Sequence, residues 1–156
     1  MIERMKRSRL QRSPRGYAIA ESAASLTILI PIVFVAAFVA IEVCQVFLIM
    51  AGLNQSAYWA ARQIAINYGN NPTAAQLPTG NLGYNGVFSK VTFVNIVNSA
   101  QQFQAPTFNT AASPGSVTVI CQYQSGQHNL PTFPYPDPLH LGTNFQISSS
   151  ATVDLE

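Results

Sequence analysis

Ser22 to Ile41 is a run of 20 residues without a single charge. As a helix it spans about 30 Å, the thickness of a bilayer's hydrocarbon core. A fold for this chain must either set that run in lipid or cover it on every side. Glu21 and Glu42 bound it.

The placement of charge favours lipid. Residues 1–16 hold Arg4, Lys6, Arg7, Arg9, Arg12 and Arg15 against Glu3, a net +5. The rest holds Arg62 and Lys90 against Glu21, Glu42, Asp137, Asp154 and Glu156, a net −3. Basic residues flanking an apolar helix keep that flank cytoplasmic. The sequence therefore predicts a single-pass protein of the cytoplasmic (inner) membrane, N-terminus inside and C-terminal domain exported. A basic tail can also grip nucleic acid, but this one abuts the apolar run, and no nucleic-acid partner is expected. A cleaved secretory signal has an apolar core of about 7–15 residues ending in a small-x-small site. This run is longer and flows into more helix, so an anchor in the lipid bilayer fits better.

Three regions follow: a leader over 1–16, a transmembrane helix over 17–50 and an exported domain over 51–156. The leader is polar and basic and carries no expectation of a stable fold. Residues 17–68 read as one helix of about 78 Å. Pro31 predicts a kink, with the Thr27 hydroxyl available to the carbonyl that proline frees. From Ala51 the helix turns amphipathic: Leu53, Ala57, Ala60, Ala61, Ile64 and Tyr68 form one stripe at steps of three and four. Gln55, Arg62, Gln63 and Asn67 fall mostly off it. Gly69-Asn70-Asn71-Pro72 is a stop signal, with Gly69 available for a left-handed cap.

Residues 70–86 read as loop. Residues 87–103 have helical spacing in Val87, Val91, Val94 and Val97, while their β-branched content pulls towards strand; a short helix is the preferred reading. Residues 116–124 alternate as a strand, with Val117, Val119, Cys121 and Tyr123 on one face. Residues 144–155 form a second, with Phe145, Ile147, Ala151, Val153 and Leu155 in phase. The two should pair antiparallel and lay their apolar faces on the helix stripe. The expected fold class is thus α+β: a long N-terminal transmembrane helix whose amphipathic continuation packs on a small antiparallel sheet. The connection 125–143 contains Pro131, Pro134, Pro136 and Pro138 among Phe133, Tyr135, Leu139 and Leu141. A connection of that length is often functional, and Phe133, Tyr135 and Leu139 are its candidate binding residues. It can equally serve as cover for a sheet edge.

An active site is hard to find. Beyond residue 69 the charged and histidine side chains are Lys90, His128, Asp137, His140, Asp154 and Glu156. His128, Asp137 and His140 share one loop but match no tight ligand spacing, so exposed polar residues are the better reading. No nucleophile context or phosphate loop is present. No cofactor and no enzymatic activity are expected. Cys44 and Cys121 are expected as free thiols that behave as small apolar residues.

Glu21 is an acid at the edge of an apolar helix, where a partner is expected unless it stays wet. Glu42 lies about 60° round the helix from it and reads as an outer-interface residue that snorkels to water, with a helix–helix contact as the sharper option.

The order Arg15-Gly16-(x4)-Glu21, an apolar run containing Pro31, then Glu42 and Leu53-Asn54-Gln55-Ser56-Ala57-Tyr58-Trp59-Ala60-Ala61-Arg62 resembles the TadE-like (and TadG-like) pseudopilins of tight-adherence pilus systems. Val117-Thr118-Val119 and the closing Ile147 to Val153 are similar, more loosely, to that family's two C-terminal strands. Ser22 stands where the family usually has an aromatic. Pro31 and Glu42 come about one helical turn late. The resemblance implies a pilin-like fold and no catalysis by the chain. It implies cleavage between Gly16 and Tyr17 by a prepilin peptidase and a role as pseudopilin or minor pilin among other pilins and inner-membrane assembly proteins. Glu21 would then pair with the new amine of Tyr17 in a neighbouring subunit, and Glu21, Pro31 and Glu42 would serve helix packing in an extracellular pilus or in the machine that builds it. The alternative is a signal-anchored membrane protein whose loop 131–141 binds a partner or surface outside the cytoplasm.

Overall fold

The computed structural model describes residues 14–93, 96–127, 130, 137–142 and 145–155, with side chains from Tyr17 onward. The elements are α1 (Pro14–Asn70), α2 (Pro72–Ala75), α3 (Tyr84–Phe88), a 3-10 turn (Ala100–Gln102), β1 (Thr107–Asn109), β2 (Ser116–Gln124) and β3 (Gln146–Asp154). The chain divides into two compact units, Met1–Phe38 and Val39–Glu156. It is an α+β protein with one long apolar N-terminal helix and a small antiparallel sheet.

In the first unit α1 is bare. Leu26, Ile28, Leu29, Ile30, Ile32, Val33, Phe34 and Val35 are all at least half exposed. Helix forms here without tertiary support because, apart from the carbonyl opposite Pro31, the backbone groups are satisfied within the segment, which is the condition lipid imposes. The segment is long and apolar enough to cross a membrane. The helix runs on through Pro31. The Thr27 hydroxyl donates to the Ala23 carbonyl at 2.8 Å, so it does not serve the carbonyl opposite Pro31 as expected. Ser22 bonds back to Ala18 in the same way, at 2.9 Å.

In the second unit the expected stripe is the centre of the core. Leu53, Ala57, Ala60, Ala61 and Ile64 are fully buried, and Ile49 and Ala65 nearly so. They cluster with Val117, Val119, Cys121 and Tyr123 of β2 and with Ile147, Ala151 and Val153 of β3. Alanines at 57, 60 and 61 are what let other elements approach the helix closely. Gly52 extends that surface: a Cβ there would sit 3.0 Å from side-chain atoms of Phe93 and Ile96. Asn67 differs from expectation. It is buried, because its side-chain amide donates to the Leu82 carbonyl at 3.1 Å.

The helix ends at Asn70, and Gly69 is part of it rather than a left-handed cap. Asn71 and Pro72 supply the stop. Asn71 is extended and its side chain accepts from the Ala74 amide at 3.1 Å, capping α2, which Pro72 opens. Proline suits that first position because its missing donor would have no partner there.

The sheet order is β1-β2-β3, antiparallel throughout. Val117 faces Val153, Val119 faces Ala151 and Tyr123 faces Ile147 on the core side. On the other face Thr118 and Thr152 pair through their hydroxyls at 2.8 Å. β3 is two residues shorter at its start and one shorter at its end than the expected 144–155 strand, and β1 was not foreseen. Three residues of β1 give too short a pattern to read as alternation.

The expected helix over 87–103 does not form. α3 stops at Phe88, and Phe93 and Val97 pair as an isolated bridge. Buried Gln102 explains this. Its Oε1 accepts from the Asn98 and Ser99 amides at 2.8 and 3.0 Å, and its Nε2 donates to the Ile96 and Gln122 carbonyls at 2.8 and 3.3 Å. One side chain thus satisfies a turn and ties it to β2, while Ser99 caps the 3-10 turn. Phe88 then stacks on Phe103 with ring centroids 4.6 Å apart. These bonds reward a folded-back segment over a continuous helix.

Candidate functional site

The residues that carry the resemblance lie at the start of α1. Gly16 and Tyr17 fall in its first turn. The first four amides of a helix have no partner within it, and the amide of Tyr17 is among them. Tyr17 is 75% exposed. Glu21 is exposed and has no ion pair or hydrogen bond among the described residues. Pro31 is exposed on the bare helix.

Glu42 is elsewhere altogether, in the second unit. It is 1% exposed, which overturns the expectation of a snorkelling interface residue. Its Oε2 accepts from the Leu139 amide at 3.1 Å. Among the described residues Oε1 is buried with no hydrogen-bond partner. The helix residue that follows the apolar run therefore holds a loop 97 positions downstream.

Asp137 shapes the loop for this contact. Its carboxylate accepts from the Leu141 amide at 2.8 Å and the Gly142 amide at 2.6 Å, while its carbonyl accepts from His140 at 3.2 Å. His140 takes a left-handed conformation (φ 55°) to close the turn. The far end is stitched in as well: the Ser125 hydroxyl donates to the Gly142 carbonyl, and the Ser125 amide to that of Phe145 at 2.9 Å. The turn leaves the Leu139 amide facing Glu42 and its side chain 43% exposed. Phe133, Tyr135 and His128 lie outside the described residues. Of the candidate loop residues, the structure thus brings Leu139 to Glu42 through the backbone.

Asp137 binds backbone amides within its own turn. Among the described residues no group of three His, Cys, Asp or Glu side chains is placed to hold a metal. Both cysteines are free. Cys44 is exposed on α1 and Cys121 is buried in β2. Burial pushes the Cys121 thiol up to about 12 and raises the neighbouring Tyr123 hydroxyl as well, so neither is poised as a nucleophile or base at neutral pH.

Glu42 was flagged by its position at the end of the apolar run, but its partner is a backbone amide, which sequence cannot mark. Gln102 carries a readable signal, the Ser99-x-x-Gln102 capping box. Comparison of the chain with protein-family models, with curated proteins and with solved structures finds no match.

Proposed function

We propose that this chain is a membrane-anchored structural subunit of the pseudopilin or minor-pilin type, with a pilin-like fold, used to build a pilus or secretion filament. The observation that carries the reading is the character of α1. One helix supplies an apolar segment with every face bare and then, from Ile49 on, the central stripe of a folded domain. A bare segment of that kind sits in lipid first and can exchange lipid for like helices later. The basic leader, Gly16 and Glu21 give the sequence support for processing by a prepilin peptidase, and the frayable first turn of α1 suits cleavage at Gly16–Tyr17. In the assembled state Glu21 pairs with the α-amine of Tyr17 on a neighbour. Such a pair sets register more than it adds stability.

The domain would lie outside the cytoplasmic membrane. Glu42 has a different role from Glu21 in this scheme: it clamps the 137–142 turn to the helix just past the uncharged run. The competing reading, an anchored binding module, draws on the exposed Leu139 side chain held out by that same turn.

The test is the N-terminus of protein purified from the host's membranes. A start at Tyr17 that is lost in Gly16→Leu, with filament assembly lost too, supports the proposal. An intact leader with normal assembly sinks it.

A further inference from the structure

A cleft of about 140 Å³ opens in the second unit between α1 and the segment after α3. Gln55, Ser56 and Trp59 line it from the helix, and Lys90, Val91, Thr92 and Phe93 from the other side. Three features distinguish it from an ordinary surface groove.

The first is Ser56. It is 3% exposed, and its hydroxyl has no hydrogen-bond partner among the described residues. Ser22 and Thr27, on the same helix, both donate to the carbonyl four residues back. Ser56 has the Gly52 carbonyl at that position and does not use it. A buried hydroxyl left unmatched is costly, so a ligand that accepts its hydrogen bond recovers what the protein alone forgoes.

The second is Lys90. Past residue 16 the chain contains only two basic residues, Arg62 and Lys90. Among the described residues no carboxylate pairs with Lys90, and no acid lines the cleft. The third is the wall. Val91 is buried, Trp59 is half exposed, and Phe93 is seated against the helix where Gly52 leaves room for it.

We propose that this cleft binds a carboxylate, with its charge on Lys90 and the Ser56 hydroxyl and its short apolar stem against Trp59, Val91 and Phe93. One cation and a hydroxyl match a monoanion. A phosphate, closer to two charges, calls for more than the single cation that lines this cleft. With liquid water taking about 30 Å³ per molecule, the cleft has room for a ligand of roughly acetate to butyrate size, or for the tip of a glutamate side chain. The inference goes beyond the assembly reading and does not depend on cleavage after Gly16.

Trp59 is the sole tryptophan, so its emission reports on the cleft directly. The full chain in detergent micelles is titrated at constant ionic strength with sodium propionate, with propionamide and sodium chloride as controls. A saturable change with propionate alone is the expected result. Lys90→Gln should weaken it at least tenfold, Ser56→Ala a few-fold, and Lys90→Arg should restore it. Lys90 is exposed, so its replacement leaves the core intact, and an unchanged thermal transition checks this. A second titration uses N-acetyl-glutamate methylamide. Saturation at lower concentration than propionate assigns the carboxylate to a polypeptide side chain; the reverse order assigns it to a free acid. No saturable response to either compound, an equal response to chloride, or an unchanged response in Lys90→Gln overturns the proposal.

Discussion

Residues 17–38 and residues 49–65 belong to one helix and are both rich in apolar side chains, yet the first stretch buries almost nothing and the second is the core of a domain. The difference lies in which side chains are small and where. In the second stretch Gly52, Ala57, Ala60, Ala61 and Ala65 leave a smooth surface that β2, Val91, Phe93, Ile96 and Val97 can reach. The first stretch has small residues only at its two ends, Ala18 to Ser25 and Ala36–Ala37, and its middle, from Leu26 to Val35, is bulky and exposed. Hydrophobicity alone therefore does not decide whether a helix meets protein or lipid; its distribution round the axis does.

The largest effect should come from putting charge on the bare stretch. Leu29→Lys with Val33→Lys places two ammonium groups near the centre of the apolar run, at about 2.5–3.5 kcal/mol each on insertion scales. The variant should leave the membrane fraction on carbonate extraction. Retention there would erase the contrast between the two stretches. Leu53→Ala does the reverse. Removing this fully buried side chain should destabilise the domain by about 2–5 kcal/mol, read by urea unfolding through Trp59 emission, with membrane integration untouched.

Smaller changes sharpen the boundary between the stretches. Glu42→Leu leaves the Leu139 amide without its acceptor, at about 1–3 kcal/mol. Its hydrogen exchange should speed up at least tenfold, whereas Glu42→Gln keeps an acceptor and should retain protection. Equal exchange in both variants would remove the clamp. Last, the Cys121 thiol rises from 9.0 to about 12 through burial. The unfolded chain ionises first, so the stabilising effect of the neutral buried thiol is complete below pH 9 and declines as pH climbs towards 12. At pH 10 the loss is about 1 kcal/mol, and Cys121→Ala should flatten that part of the pH profile.

Much of this architecture is legible without coordinates. The period of two over 116–124 and the stripe at 53, 57, 60, 61 and 64 are direct consequences of side-chain geometry, so they translate into burial almost residue for residue. The segment 87–103 was misleading because valine spacing fits a helix, while the deciding bonds come from Gln102 to backbone groups on both sides of it. The same holds at the candidate sites. Glu21 and Glu42 look alike in sequence, each an acid at one end of an apolar run. Only the fold separates them, leaving one exposed and burying the other against Leu139.

The sequence by itself determined the apolar span, its charge asymmetry, the core stripe and the two long strands, because all of these follow from local periodicity and local charge. Tertiary structure decided the burial of Glu42, the turn around Gln102 and the cleft between Ser56 and Lys90. Each depends on a side chain meeting a distant group, often a backbone amide or carbonyl that every residue carries alike, and no local pattern encodes which of them it will meet.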